Sequence, residues 1–245
     1  MDEYEKVKKA FDEYYEKYKS FSGDIDHKYK HSYNVAKLME DLAKRLGLNE
    51  EDTLLAKEIG LLHDIGRFEQ LKQTNSFRDG AFDHADYGVE YLFKENHIRD
   101  FIDDDKNDEI IAKAILYHNK YVYPDNLNER EDLFAKMIKD MDKTDIYYQL
   151  GVYYNNSFDE EVTPEVKDVL LNKRLVNKKN VSTKSDRVLC SLSFLYDYNF
   201  NESLDILVET DNFGFYISSL EVSKENEEFF REVVNKCYEK INEGV

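Results

Sequence analysis

An all-α fold is what this sequence predicts, on three observations. Apolar residues recur every three to four positions along most of the chain, the period of one helical face. Only two prolines interrupt 245 residues, so little stops those runs from being continuous helices. Helix start and stop signals also bracket them: Asn49 precedes Glu50, Glu51 and Asp52, Gly47 follows Leu46, and Pro164 sits between Thr163 and Glu165.

The elements follow in order. Residues 2–21 read as a helix with Tyr4, Val7, Phe11, Tyr14 or Tyr15, and Tyr18 on its packing face. A break at Ser22-Gly23-Asp24 leads to a helix over 28–46 with His31, Val35, Leu38, Met39, Leu42 and Leu46 on one stripe. Leu54, Leu55, Ile59 and Leu62 carry the next helix inward to His63 and Asp64, where Gly66 permits a sharp exit. Residues 67–83 are polar and aperiodic and read as a loop over the site, with Arg67 and Arg78 as its cations. Asp83 can cap a helix that places His84 in its first turn with Tyr87, Gly88, Tyr91 and Leu92. Asp103 to Asp105 read as a solvated acidic turn. Ile110, Ile111, Ala114, Ile115 and His118 repeat the helical period. A long helix over 129–150 turns Leu133, Met137, Ile138, Met141 and Tyr148 inward, and Asp142 interrupts that face. Tyr147, Tyr148, Tyr153 and Tyr154 could stack on a nucleobase, but in a chain with 19 tyrosines they are expected in the core. Beyond Gly151, residues 172–186 are irregular, and helices resume over 185–198, 202–208 and 223–242.

Composition bounds the function. With 34 Lys+Arg against 52 Asp+Glu, the net charge of −18 repels long nucleic acid and anionic membrane. A small phosphorylated substrate would then need local positive charge from metals, Arg and Lys. Cys190 and Cys237 lie in apolar helical patterns without CxxC spacing, which argues against a disulfide framework and for an intracellular setting. No run approaches the roughly 20 apolar residues of a membrane span, so a soluble, cytoplasmic protein is expected.

Leu61-Leu62-His63-Asp64-Ile65-Gly66-Arg67 is the informative stretch. An aspartate in the last turn of a helix opposes the helix dipole, so a positive partner is expected there. Imidazole and carboxylate together suit first-row divalent ions. A single histidine on an apolar face is usually a core residue; here His31, His84, His118 and a buried Asp142 keep it company, and an unpaired carboxylate would be costly in that position. Asp140 and Asp145 compete with Asp142, and spacing does not choose between them.

In the order His31, His63-Asp64, His84, His118, Asp142, residues 25–150 resemble the HD-domain superfamily of metal-dependent phosphohydrolases, in its two-metal subset. The resemblance implies an HD-type helical bundle; with the change of character past Gly151, an HD-type metal-binding domain over residues 1–158 and a C-terminal helical extension over 159–245 packed on it are expected. The resemblance selects Asp142 through the pattern Asp140-Met141-Asp142-Lys143-Thr144-Asp145, and makes Asp64 the bridge between two divalent ions (Fe, Mn, Co, Ni or Zn). His31, His63 and Asp142 would complete one site, and His84 and His118 the other. The implied activity is hydrolysis of a small phosphoester or phosphoanhydride, a nucleotide foremost, by water activated at the metals, with Lys143 and Arg67 neutralising phosphoryl charge. A di-iron oxygenase of the same fold and a metal-stabilised binding module are the alternatives. With no histidine after His118, the C-terminal part is expected to supply packing, a pocket wall or a homo-oligomer surface.

Overall fold

A computed structural model describes residues 3–77, 82–122, 124–154 and 157–245. Arg78 lies outside the described residues. Among the described residues the protein is all-α apart from two short strands, and it divides into two compact units, Met1–Asp142 and Lys143–Val245. Among the described residues no helix is long and apolar enough to cross a membrane.

The N-terminal unit holds α1 (Glu3–Glu16), α2 (Gly23–Arg45), α3 (Glu50–Leu62), α4 (Ile65–Thr74), α5 (His84–Val89), α6 (Ile98–Phe101), α7 (Asp108–Tyr117) and the first part of α8 (Glu129–Tyr153). On α1, Val7, Phe11 and Tyr14 are buried, and the rings of Phe11 and Tyr14 meet Phe68 of α4 edge-on. Ser22 caps α2 by accepting from the Asp24 amide, and Asn49 caps α3 by accepting from Asp52. α2 packs along α3, where a β-carbon on Gly60 would come within 2.7 Å of the Ala36 Cα. Asp83 caps α5, accepting from the amides of Ala85 and Asp86. A π-helical segment, Glu90–Lys94, continues α5.

Two expectations change here. The segment after Asp64 is not a loop, because α4 begins at once and runs to Thr74. Its apolar positions Ile65, Phe68 and Leu71, spaced three apart, are buried, a short helical stripe masked in the sequence by polar neighbours. Gly66 has a different role as well. It sits inside α4, where a β-carbon would collide with the carbonyl oxygen of His84, so the glycine permits α4 and α5 to approach rather than the chain to turn.

The C-terminal unit comprises the end of α8, β1 (Ser157–Phe158), α9 (Pro164–Leu171), α10 (Lys184–Leu192), α11 (Asn201–Thr210), α12 (Asn212–Ser218), β2 (Glu221–Val222) and α13 (Glu227–Glu243). β1 and β2 pair in parallel. Pro164 occupies the first turn of α9 after Thr163. Thr183 and Asp186 form a reciprocal capping box on α10. The core gathers Tyr147, Leu189, Leu192, Phe213, Tyr216, Val233 and Cys237. The boundary between units thus falls inside α8, not at residue 158 as the sequence suggested, because Tyr147 packs with this second core. Tyr147, not Tyr148, is the inward residue. Tyr148, Tyr153 and Tyr154 are exposed, which departs from the core reading of that run.

Candidate metal centre

Helix ends deliver most of the candidate ligands. His63 C-caps α3 and Asp64 follows as the N-cap of α4, so the pair occupies the break between two helices. A carboxylate is electrostatically welcome at a helix N-terminus. Asp64 makes no side-chain capping bond, however, and points its oxygens at four imidazoles instead. His84 is the first residue of α5, His118 C-caps α7, His31 lies within α2 and Asp142 within α8.

These residues form two groups sharing one carboxylate. Asp64 Oδ2 lies 3.5 Å from His31 Nε2 and 3.6 Å from His63 Nε2. Its other oxygen, Oδ1, lies 3.3 Å from His84 Nε2 and 3.5 Å from His118 Nε2. Asp142 Oδ1 joins the first group at 3.0 Å from His31 Nε2 and 3.5 Å from His63 Nε2. Ligand atoms of His31, His63, Asp64 and Asp142 all lie within 4.8 Å of one another, and so do those of Asp64, His84 and His118. Asp140 and Asp145 are buried but belong to neither group.

The hydrogen bonds around the rings suit metal ligation. His63 Nδ1 is 2.8 Å from the Gly60 carbonyl and His118 Nδ1 is 2.6 Å from the Ile115 carbonyl. A carbonyl can only accept, so each Nδ1 carries the proton and each neutral ring turns an Nε2 lone pair toward Asp64. Acceptor then faces acceptor. The buried His63 Nε2 and Asp142 Oδ1 make no hydrogen bond, although they lie only 3.5 Å apart. Across the second group, His84 Nε2 and His118 Nε2 face each other at 3.1 Å. Buried lone pairs converging in this way are the donor set a cation requires, so the residues fit a divalent metal. Burial pushes both carboxyls upward. For Asp64 the Lys28 ammonium beside it opposes that and holds the carboxyl well below the usual carboxylate range.

Residues 29–147 match the family model of the HD domain. The chain carries an HD domain. No curated protein matches it, and neither does any solved structure. HD domains bind divalent metals, and the superfamily consists mostly of metal-dependent phosphohydrolases.

Beside these candidate ligands, the cations are arranged differently from the expectation. Lys143 follows Asp142 on α8 and so points about 100° away from it. Its Nζ donates to the Asp197 carbonyl at 2.9 Å and pairs with the Asp197 carboxylate, rather than standing ready for a phosphate. Lys28 was not anticipated, yet its Nζ lies 2.6 Å from Asp64 Oδ2. Its spacing from His31, three residues and so about one helical turn, was the signal that could have revealed it. Arg67, in the first turn of α4, holds Nε 3.6 Å from Asp64 Oδ1, while Nη1 donates to Gln70 Oε1 at 2.7 Å and to the Phe77 carbonyl at 3.0 Å. Lys28 and Arg67 thus flank opposite oxygens of the shared carboxylate. His27 and His97 take no part, pairing with Asp24 and Asp100.

Proposed function

We propose that the protein is a two-metal phosphohydrolase acting on a small phosphoester or phosphoanhydride, with nucleotides the foremost class. The observation that carries this reading is the convergence of four imidazole Nε2 atoms and two carboxylates into two groups that share Asp64, one group on each of its oxygens. His31, His63, Asp64 and Asp142 would hold one ion, and Asp64, His84 and His118 the other. When bound, such a pair lowers the pKa of a water between the ions and neutralises charge on a phosphoryl group.

The chain's own residues do the rest. Backbone carbonyls of Gly60 and Ile115 hold His63 and His118 in the tautomer whose Nε2 is free to ligate. Asp64 fixes the two groups relative to each other. Lys28 and Arg67 are charged side chains beside that carboxylate, suited to orient an anionic substrate and to offset the charge that builds on phosphoryl oxygens. Arg67 supplies a planar fork for two oxygens, and Lys28 supplies a point charge.

The test is a phosphate-release screen over nucleoside mono-, di- and triphosphates and simple phosphomonoesters, on protein loaded anaerobically with Fe, Mn or Co. Oxygen uptake and EPR spectra are recorded on the same samples. Metal-dependent phosphate release that is lost in Asp64→Ala is the expected result. Substrate-dependent oxygen consumption without phosphate release would replace hydrolysis with oxygenase chemistry.

A further inference from the structure

Away from the histidines, the N-terminal unit contains a cavity of about 210 Å³ whose lining includes Glu3, Glu51, Leu55, Glu58, Asp104 and Ile111. Its entrance is acidic and part of its wall is apolar. Glu58 sets it apart from an ordinary solvated cluster of acids. This residue lies on α3, is only 4 % exposed, and its Oε1 is buried without a hydrogen-bond partner. A buried carboxyl oxygen with nothing to bond is costly unless something completes it.

The surrounding charges narrow the choice of ligand. Lys106, also on the lining, lies 3.3 Å from Glu51 and 4.0 Å from Asp104, so the rim already accommodates one ammonium group while Glu58 has none. A compact metal ion fits less well. Three or more candidate ligand atoms of His, Cys, Asp or Glu within 4.8 Å of one another occur among the described residues only at the histidine centre, whereas acids spaced around an apolar wall suit a cation with a hydrocarbon stem. The volume is below the roughly 300 Å³ at which drug-sized ligand pockets begin, which limits the occupant to a small molecule.

We propose that this cavity binds a small alkylammonium ion of the diamine or polyamine class, with one ammonium group donating to Glu58 and the methylene stem lying against Leu55 and Ile111. The site is separate from the metal centre and does not depend on the phosphohydrolase reading. Glu58 is pushed up to about 8, by burial first and then by Glu3 and Asp104, with Lys106 opposing. An arriving ammonium therefore displaces a proton held at near-neutral pH.

Isothermal titration of the full-length protein with 1,4-diaminobutane and with spermidine tests the proposal, using 1-butanol as a neutral control and Mg²⁺ and Ca²⁺ as rivals. Saturable binding of at least one amine is expected, weakened about tenfold or more in Glu58→Gln, as the loss of a charge-assisted hydrogen bond implies. Butanol should not bind. Circular dichroism establishes that Glu58→Gln is folded, and Asp104→Asn, at the rim, provides a second variant expected to weaken amine binding by a smaller factor. Absence of saturable amine binding would overturn the proposal, as would equal affinity in wild type and Glu58→Gln. Binding of Mg²⁺ or Ca²⁺ that is lost in Glu58→Gln, with no amine binding, would overturn it in favour of a metal site.

Discussion

The two units bury polar groups on opposite terms. In the N-terminal unit, His31, His63, Asp64, His84, His118 and Asp142 meet in the interior, and Oδ1 of Asp142 and Oε1 of Glu58 are buried without a hydrogen bond. In the C-terminal unit, the buried Asp186 accepts from the amides of Thr163, Ser182 and Thr183 while its neighbours form an apolar core. A fully bonded carboxylate holds a loop to a helix. Unsatisfied ones store electrostatic free energy that a cation can release. This contrast between buried carboxylates can be tested from both sides.

The largest effect should come from Asp64→Ala, since Asp64 belongs to both ligand groups. Elemental analysis should find both metals lost and phosphate release abolished. Asp142→Ala should empty the first group only, whereas Asp140→Ala and Asp145→Ala should cost no more than the roughly 10- to 100-fold typical of groups that merely support ligands. Metal loss confined to either of these two would show that the wrong carboxylate was chosen.

A core truncation in the other unit should reverse the pattern. Leu192 is fully buried in the second core, and Leu192→Ala should destabilise by about 2–5 kcal/mol in denaturant melts with the metal content of the folded protein unchanged. Metal loss in this variant would show that the centre depends on the C-terminal core.

Metal itself should stabilise the N-terminal unit by about 2.7 kcal/mol at a free concentration one hundred times Kd. The gain should shrink in His63→Ala, which removes a ligand of the first group only, and should fall on acidification, because imidazoles must be neutral to ligate. Thermal melts with and without Mn²⁺ across a pH series measure it. An equal shift in His63→Ala would mean that the ion binds elsewhere.

Arg67→Lys separates substrate recognition from metal assembly. If the guanidinium contacts the phosphoryl group mainly in the transition state, a charge-assisted bond of about 1.5–3 kcal/mol predicts a loss of about one to two decades in kcat with the metal retained. A loss confined to KM would assign the contact to the ground state. Unchanged kinetics in both Arg67→Lys and Arg67→Ala would leave Arg67 with its partners Asp64, Gln70 and Phe77 alone.

The last effects concern pH, and here the two units should differ in sign. Glu58 is raised from 4.5 to about 8, with Glu3, Asp104 and Lys106 facing it. The native state therefore holds a proton that the unfolded chain releases, and stability falls as pH rises from about 4.5 to about 8. Glu58→Gln should flatten that slope. Burial pushes Asp186 upward, but the backbone amides of Thr163, Ser182 and Thr183 overcome it and hold the carboxyl below its ordinary 3.8. Its contribution is present above that value and lost as pH falls through the lowered one, and Asp186→Asn should remove the acid-side loss. Chemical denaturation at several pH values reads both slopes.

Much of this was legible in the residues themselves. Helical periodicity is local, so the existence of α1, α2, α3, α7, α8 and α13 could be read from spacing, and the caps at Asn49, Asp83 and Thr163 from residue type. The order of histidines and aspartates pointed to a candidate metal centre through its resemblance to the HD-domain superfamily, and the same residues converge in the fold. Other features depend on what lies across a contact. Gly66 looked like a turn, but the carbonyl of His84, distant in sequence, explains it. Lys143 looked available until the fold set Asp197 against it, and Lys28 gained a role only when α2 brought it to Asp64. Periodicity reports how a residue faces its own helix, whereas the partner of a charge and the room beside a glycine are set by the neighbouring helix, which only the tertiary structure supplies.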